Sequence, residues 1–176
     1  MKLRKSNRLK NHDYSQDGYY YFLTVCTECR MGRFGEIVNG QMQLNDPGQM
    51  VLNVWCELPD HFPNIELDEC IVMPNHFHGI LFAAGAPRAT IKVAPTTLGK
   101  VMGAFKSITT KKYIDGVKRD GWPRFVGRLW QRNYHDNIIR TNESLEKIRD
   151  YIINNPGQWD CDSENIGNKR LILSKA

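Results

Sequence analysis

Apolar and polar positions along this chain follow two periods, and the change from one to the other marks out the elements. Tyr19 to Cys29 (YYYFLTVCTEC) is dense in aromatic and β-branched residues and reads as a strand. Residues 34–38 and 41–44 are short apolar-polar runs flanking Asn39-Gly40, which predicts a tight hairpin. Asn45 or Asp46 then caps a helix with Pro47 in its first turn and Met50, Val51, Val54, Trp55 and Leu58 at helical spacing; Pro59 and Pro63 close it. Two strands follow, 65–73 and 75–83, hinged at Pro74. Residues 85–95 (GAPRATIKVAP) read as a loop. A helix begins at Thr96 or Thr97 and runs to about Tyr113, with Leu98, Val101, Met102, Phe105 and Ile108 on one side. A glycine-rich loop over 115–128, a strand over 129–140 and a last helix over 142–155 complete the chain. That helix carries a Leu145, Ile148, Ile152 stripe and stops at Pro156-Gly157. Hairpins outnumber βαβ alternation, so the expected class is α+β: an antiparallel sheet with helices packed on it.

Composition narrows this picture little. At 176 residues and 41% hydrophobic, the chain suits one globular domain over 1–176, with a basic N-terminal arm over about 1–12 and a short tail over about 160–176. No apolar run approaches the roughly 20 residues of a membrane helix, and the N-terminus has no apolar stretch of the secretory type. A cytoplasmic protein with no membrane partner is expected. The five cysteines are odd in number and scattered, which argues against a disulfide framework. Cys26 and Cys29 have CxxC spacing, but in a strand they face opposite sides, so a structural role is expected.

Charge changes the picture more. The net charge is +5, and its cations cluster: Lys2, Arg4, Lys5, Arg8 and Lys10 fill half of the first ten residues. A second group runs from Lys100 through Lys106, Lys111, Lys112, Lys118, Arg119, Arg124 and Arg128 to Arg132. Such a distribution is either a solvated basic face or the footprint of a polyanion.

The sharpest chemical signal is His76-Phe77-His78, inside an apolar run just after Pro74. Strand neighbours two apart share a face, so both imidazoles project together while Phe77 points away. The pair reads either as half of a divalent-metal site or as two satisfied strand histidines. On the last helix, Tyr151 and Asn155 are four apart and share a face at the flank of the apolar stripe. Taken alone, Tyr151 reads as a packing aromatic.

Three segments together carry a resemblance: Met73-Pro74-Asn75-His76-Phe77-His78-Gly79-Ile80, then Trp130-Gln131-Arg132-Asn133-Tyr134, then Ile148-Arg149-Asp150-Tyr151-Ile152-Ile153-Asn154-Asn155-Pro156. The chain resembles the single-tyrosine transposases of the HUH class (IS200-like), and among them the REP-associated tyrosine transposases, nearly throughout its length to about Trp159. The N-terminal Arg4-to-Lys10 run and the segment 34–38 fit the same pattern. The resemblance implies a ferredoxin-like, RRM-like HUH endonuclease fold. It implies that His76, His78 and Asn155 hold Mg²⁺ or Mn²⁺ and that Tyr151 is the nucleophile, with Tyr134 a second phenol that lacks an amide at a matching helical offset. Relatives often carry His where this chain has Asn137. The implied reaction cleaves and rejoins single-stranded DNA at hairpin-forming palindromic repeats through a 5′-phosphotyrosine. Arg4, Lys5, Arg8, Lys106, Lys111, Lys112 and Arg132 are the expected DNA-backbone contacts. Trp122 and Trp130 are either base-stacking or core residues. The resemblance leaves both a monomer and a homodimer open.

Two other readings belong to different classes. A catalytically idle nucleic-acid-binding protein would need none of His76, His78, Tyr151 and Asn155. A metal-dependent nuclease using activated water would need the histidines but would tolerate loss of the Tyr151 hydroxyl.

Overall fold

The computed structural model describes residues 18–83 and 98–165. Its centre is a four-stranded antiparallel sheet of β1 (Tyr19–Cys26), β4 (Ile65–Val72), β5 (His76–Ala83) and β6 (His135–Ile139), in the order β4-β5-β1-β6. A separate hairpin is formed by β2 (Gly35–Val38) and β3 (Gln41–Leu44). Counting only the sheet strands, the chain runs strand–helix–strand–strand–helix–strand with the first and third at the centre, which is the ferredoxin-like split arrangement. The α+β antiparallel architecture expected from the sequence is the one observed.

Local sequence explains most boundaries. Asn39 and Gly40 both take positive φ, 52° and 72°, as a two-residue turn of the primed type requires. Asn45 caps α1 (Asp46–Cys56) by accepting from the Gly48 N–H at 2.9 Å, and Pro47 occupies the first turn. Pro59 does not merely end that helix. It sits in the first turn of a short second one, α2 (Leu58–His61), where its missing N–H costs nothing. The Pro74 turn joining β4 to β5 is fixed from outside, because the Pro74 carbonyl accepts from both Arg33 and Phe34 N–H groups.

Three expectations differ from the structure. The helix expected to end near Tyr113 is α3 (Leu98–Arg119), a turn and a half longer. Gly116 within it is buried against the Trp122 ring, so tertiary packing outweighs the low helix propensity of glycine. The strand expected over 129–140 is regular only as β6; Trp130 makes an isolated bridge to Thr27. Between them, the Lys106 ammonium takes the carbonyls of Gln131, Arg132 and Asn133 at 2.9, 3.3 and 2.9 Å, which removes them from any ladder. Last, α4 (Asn142–Asn154) is followed at once by a 3-10 turn, Pro156–Cys161, that carries the chain back over the sheet. The 85–95 loop and the N-terminal arm lie outside the described residues.

The sheet has two unequal faces. Tyr21, Leu23, Val25, Phe77 and Leu81 point to the larger core, which α1 and α3 cover with Val51, Val54, Trp55, Val101, Met102 and Phe105. On the other face Ile80, Ile139, Leu145 and Ile152 form a small core under α4, with Phe22 and Ile148 packed at its edge. That smaller face is where the candidate chemistry sits.

Candidate active site

Alternation along β5 sends Phe77 into the large core and leaves both histidine rings on the α4 face. Their ring centroids are 4.5 Å apart. His76 is fully buried and His78 nearly so. Across the ladder Thr24 faces His78 and Cys26 faces His76. The Thr24 hydroxyl oxygen lies 2.8 Å from His78 Nδ1, and the Phe22 ring stacks on the imidazole at 5.2 Å.

The proton positions follow from the hydrogen bonds. Asn75 Nδ2 donates to the carbonyls of Arg30 and Glu164, at 3.1 and 2.8 Å, so the Asn75 amide can point only one way. Its Oδ1 therefore faces His76 Nδ1 at 2.8 Å and accepts the proton there. His76 Nε2 is left as a bare lone pair, buried and without a partner among the described residues. Burial, reinforced by the Arg30 charge, pushes the His76 pKa down to about 3. Burial likewise takes His78 to about 3, helped by His76, against the opposing pull of Asp162 and Glu164. Both rings are neutral at physiological pH, the form that binds a metal.

The sequence did not point to Asp162, which the structure brings to the same place. The ligand-capable atoms of His76, His78 and Asp162 all lie within 4.8 Å of one another, and all three residues are buried. Residues 160–165 are thus not a tail. The 3-10 turn after α4 swings Asp162 under the histidines, and Glu164 pairs with Arg30 at 2.5 Å while accepting from the Cys26 thiol at 3.2 Å. Asn155 lies beside this group. Its Nδ2 donates to Asp162 Oδ2 at 3.2 Å, and its own Oδ1 is buried without a partner among the described residues. Trp159 covers His76, ring centroids 6.0 Å apart. Nothing in the sequence marks Asp162, since its place depends on the path of the chain after Pro156.

Tyr151 is on the same face. Its hydroxyl lies 3.4 Å from His78 Nε2, and its ring stands edge-on to Phe22 at 6.0 Å. It is 39% exposed, so the phenol lines an opening rather than filling a core. Burial raises its pKa and Asp162 raises it further, with Asn155 pulling the other way. The helix bearing it is tied down twice. Leu145 and Ile152 enter the small core, and Arg149 makes a two-pronged pair with Asp68 on β4, 2.8 Å on one side.

The remaining expected residues divide. Tyr134 packs against the large core with Lys106 over its ring. Lys106 is occupied by three carbonyls, and Lys112 by Glu57 at 3.1 Å. Lys111 and Arg132 are exposed and line one groove. Trp130 is buried and donates to Thr109, while Trp122 packs on Gly116 and Tyr113, so both are structural. Asn137 sits across from Phe22 on the site face, exposed at the β6 edge. Cys26 is buried and Cys29 exposed, as separate thiols. Arg4, Lys5 and Arg8 lie outside the described residues.

An uncharacterised protein of Haemophilus influenzae (strain Rd) is 35% identical over 175 residues, which cover 90% of this chain and 91% of that one. The solved structure of a REP-associated tyrosine transposase bound to a REP hairpin superposes with a TM-score of 0.53 at 18% identity, over 85% of this chain and 73% of the other. No family model matches the chain.

Proposed function

Because this chain belongs to the family of the Haemophilus influenzae protein and has the fold of a REP-associated tyrosine transposase, we propose that it cleaves and rejoins single-stranded DNA beside hairpins, using Tyr151 as nucleophile and a divalent ion. The observation that carries this reading is the convergence of a phenol, two neutral imidazoles and a buried carboxylate on one sheet face. A pure binding protein has no use for that set.

The donor atoms suit a metal. Two buried polar atoms of these residues, His76 Nε2 and Asn155 Oδ1, have no partner among the described residues, and leaving such atoms unsatisfied is costly. His76, His78 and Asp162 would hold the ion, with Asn155 either as a further ligand or orienting Asp162. Two imidazoles and a carboxylate suit a divalent ion, which the resemblance implies to be Mn²⁺ or Mg²⁺. Such an ion supplies Lewis-acid charge to the non-bridging oxygens of the scissile phosphate.

The chain's own groups do the rest. Tyr151 Oη forms the new bond to phosphorus as the bond to the 3′-oxygen breaks, giving a 5′-phosphotyrosine and a free 3′-hydroxyl. The phenol is protonated at neutral pH and loses its proton to solvent on the open side of the site as it attacks, and the leaving 3′-oxygen takes up a proton from the same solvent. Phenolate is a fair leaving group, so the link is reversible and a strand can be rejoined without another energy source. Asn75 holds His76 in the one tautomer that presents Nε2, and Thr24 orients His78.

The test uses a DNA hairpin with a single-stranded 5′ extension, Mn²⁺ and a denaturing gel. A protein-DNA adduct is expected, lost in Tyr151→Phe and in EDTA. An adduct that survives either change refutes the mechanism; cleavage without an adduct assigns the site to a water-activated nuclease, and binding alone to a non-catalytic platform.

A further inference from the structure

The described residues carry a second feature that the reaction above does not use. A groove of about 680 Å³ runs between the second half of α3 and residues 127–132. Its helical wall is the stripe Lys111, Ile114, Asp115, Lys118, at i, i+3, i+4 and i+7, so the two ammonium groups stand two turns apart, about 10 Å along one line. Its other wall contributes Arg128 and Arg132. These four cations are exposed and none has a carboxylate partner among the described residues, in contrast to Lys112, Lys147 and Arg149, which are paired. Asp115 is the one acidic residue lining the groove. Ile114, partly exposed, gives it an apolar strip.

Arg128 and Arg132 also line a neighbouring hollow of about 520 Å³ with Glu28 and Asn133, so they stand on a ridge shared by both. This wall is preformed. Lys106 binds its three carbonyls, and Trp130 is anchored beneath it by Thr109. It is also stitched to the strand end that bears the site. The Gln131 N–H donates to the Cys26 carbonyl at 2.9 Å, the Glu28 N–H to Leu129 at 2.9 Å, and Cys26 is the ladder partner of His76.

We propose that this groove binds the single-stranded DNA flanking the cleaved hairpin, with phosphates on Lys111, Lys118, Arg128 and Arg132. Unpaired, prearranged cations in a line suit a flexible polyanion, whose bound counterions are released on contact. The apolar strip at Ile114 gives a base face somewhere to rest. Because α3 covers the sheet face opposite Tyr151, the groove would hold the flank clear of the reacting phosphate. The inference rests on the single-stranded DNA substrate proposed above, yet it concerns binding and not chemistry.

Its test uses the Tyr151→Phe protein, which cannot form the adduct, and a fluorescent hairpin with or without a single-stranded extension. Anisotropy titrations across a salt series give the slope of log K against log salt. Lys118→Gln and Arg128→Gln are each expected to reduce the slope for the extended hairpin by about 0.7, and the double variant by about twice that. The blunt hairpin is expected to bind all variants alike, and Lys147→Gln, on α4, to match the parent on both DNAs. A double variant with the parental slope on the extended hairpin overturns the proposal. So does equal weakening on both DNAs, which would place the stem in the groove. Failure of the adduct assay in the parent, with these slopes as expected, removes the phosphotyrosine chemistry and leaves the groove standing.

Discussion

The two buried histidines predict an acid-labile fold, and the size of the effect can be worked out. Each ring has a pKa of about 3 when folded, because burial penalises the cation, against 6.5 when exposed. The sign is set by proton uptake: between these values the unfolded chain binds protons that the folded one excludes, so stability falls as pH drops below 6.5. At pH 5.5 an exposed imidazole is about ten-elevenths protonated and the buried ones are neutral, a loss of about 1.4 kcal/mol per ring, or about 3 kcal/mol together. For a chain of this size that lowers Tm by about 6 to 12 °C relative to pH 7.5. Asp68, held below the usual carboxylate range chiefly by its hydrogen bonds from Arg149, loses its contribution only at lower pH and does not enter this window. The assay is thermal unfolding by circular dichroism in EDTA at pH 7.5 and 5.5, comparing the parent with the His76→Gln, His78→Gln double variant. The parent should show the drop and the double variant should lose most of it, whatever its absolute Tm. A parent with no drop, or a double variant with the same drop, would mean that the histidines are not held neutral by burial.

Four further outcomes follow from particular contacts. A Cβ at Gly79 would lie 2.7 Å from the Trp55 ring and 2.8 Å from that of Phe77, so Gly79→Ala should cost about 1–3 kcal/mol in a urea titration, and an unchanged midpoint would contradict the packing. Asn75→Ala removes the acceptor that fixes the His76 tautomer and should weaken Mn²⁺ binding about 10- to 100-fold by calorimetry; parental affinity would show that the tautomer needs no such support. Arg149→Lys cannot make the two-pronged contact to Asp68, so adduct formation should slow while the far-ultraviolet spectrum stays the same, and a parental rate would show that α4 is placed by its apolar stripe alone. Burial next to the Glu164 carboxylate pushes the Cys26 thiol up to about 12, so at pH 8 iodoacetamide should label exposed Cys29 and spare Cys26, a contrast read by peptide mass mapping.

Much of this fold is legible in the sequence because the elements are locally consistent. The Asn39-Gly40 turn, the Asn45 cap and the alternation through Phe77 each require only neighbours a few residues away. The misread stretches have the opposite character. Gly116 and Gly121 suggest a loop near residue 115, but the Trp122 ring closes over Gly116 and the helix continues beneath it. Residues 131–133 look extended, and they are withdrawn from the sheet by a lysine 25 to 27 positions earlier. Local propensity carries no trace of such contacts.

The site divides along the same line. Strand and helix periods put His76 with His78 and Tyr151 with Asn155, each pair on one face, whereas the joining of the two pairs into one site is implied only by the resemblance. Asp162 and Asn75 are invisible for two different reasons. Asp162 depends on the turn after Pro156 folding back under the sheet. Asn75 stands in plain sight beside His76, but its value lies in the carbonyls of Arg30 and Glu164 that orient its amide. The packing of the two faces explains why the candidate site lies on the weaker one. The face under α1 and α3 is filled by large apolar side chains, which leaves no place for an unpaired lone pair. Among the described residues the face under α4 holds a cluster of four buried apolar residues, so polar groups from β5, α4 and the following turn can meet there without breaking the main core. A thin core alone would hold α4 loosely, and the Arg149–Asp68 pair supplies the restraint that the missing apolar surface does not.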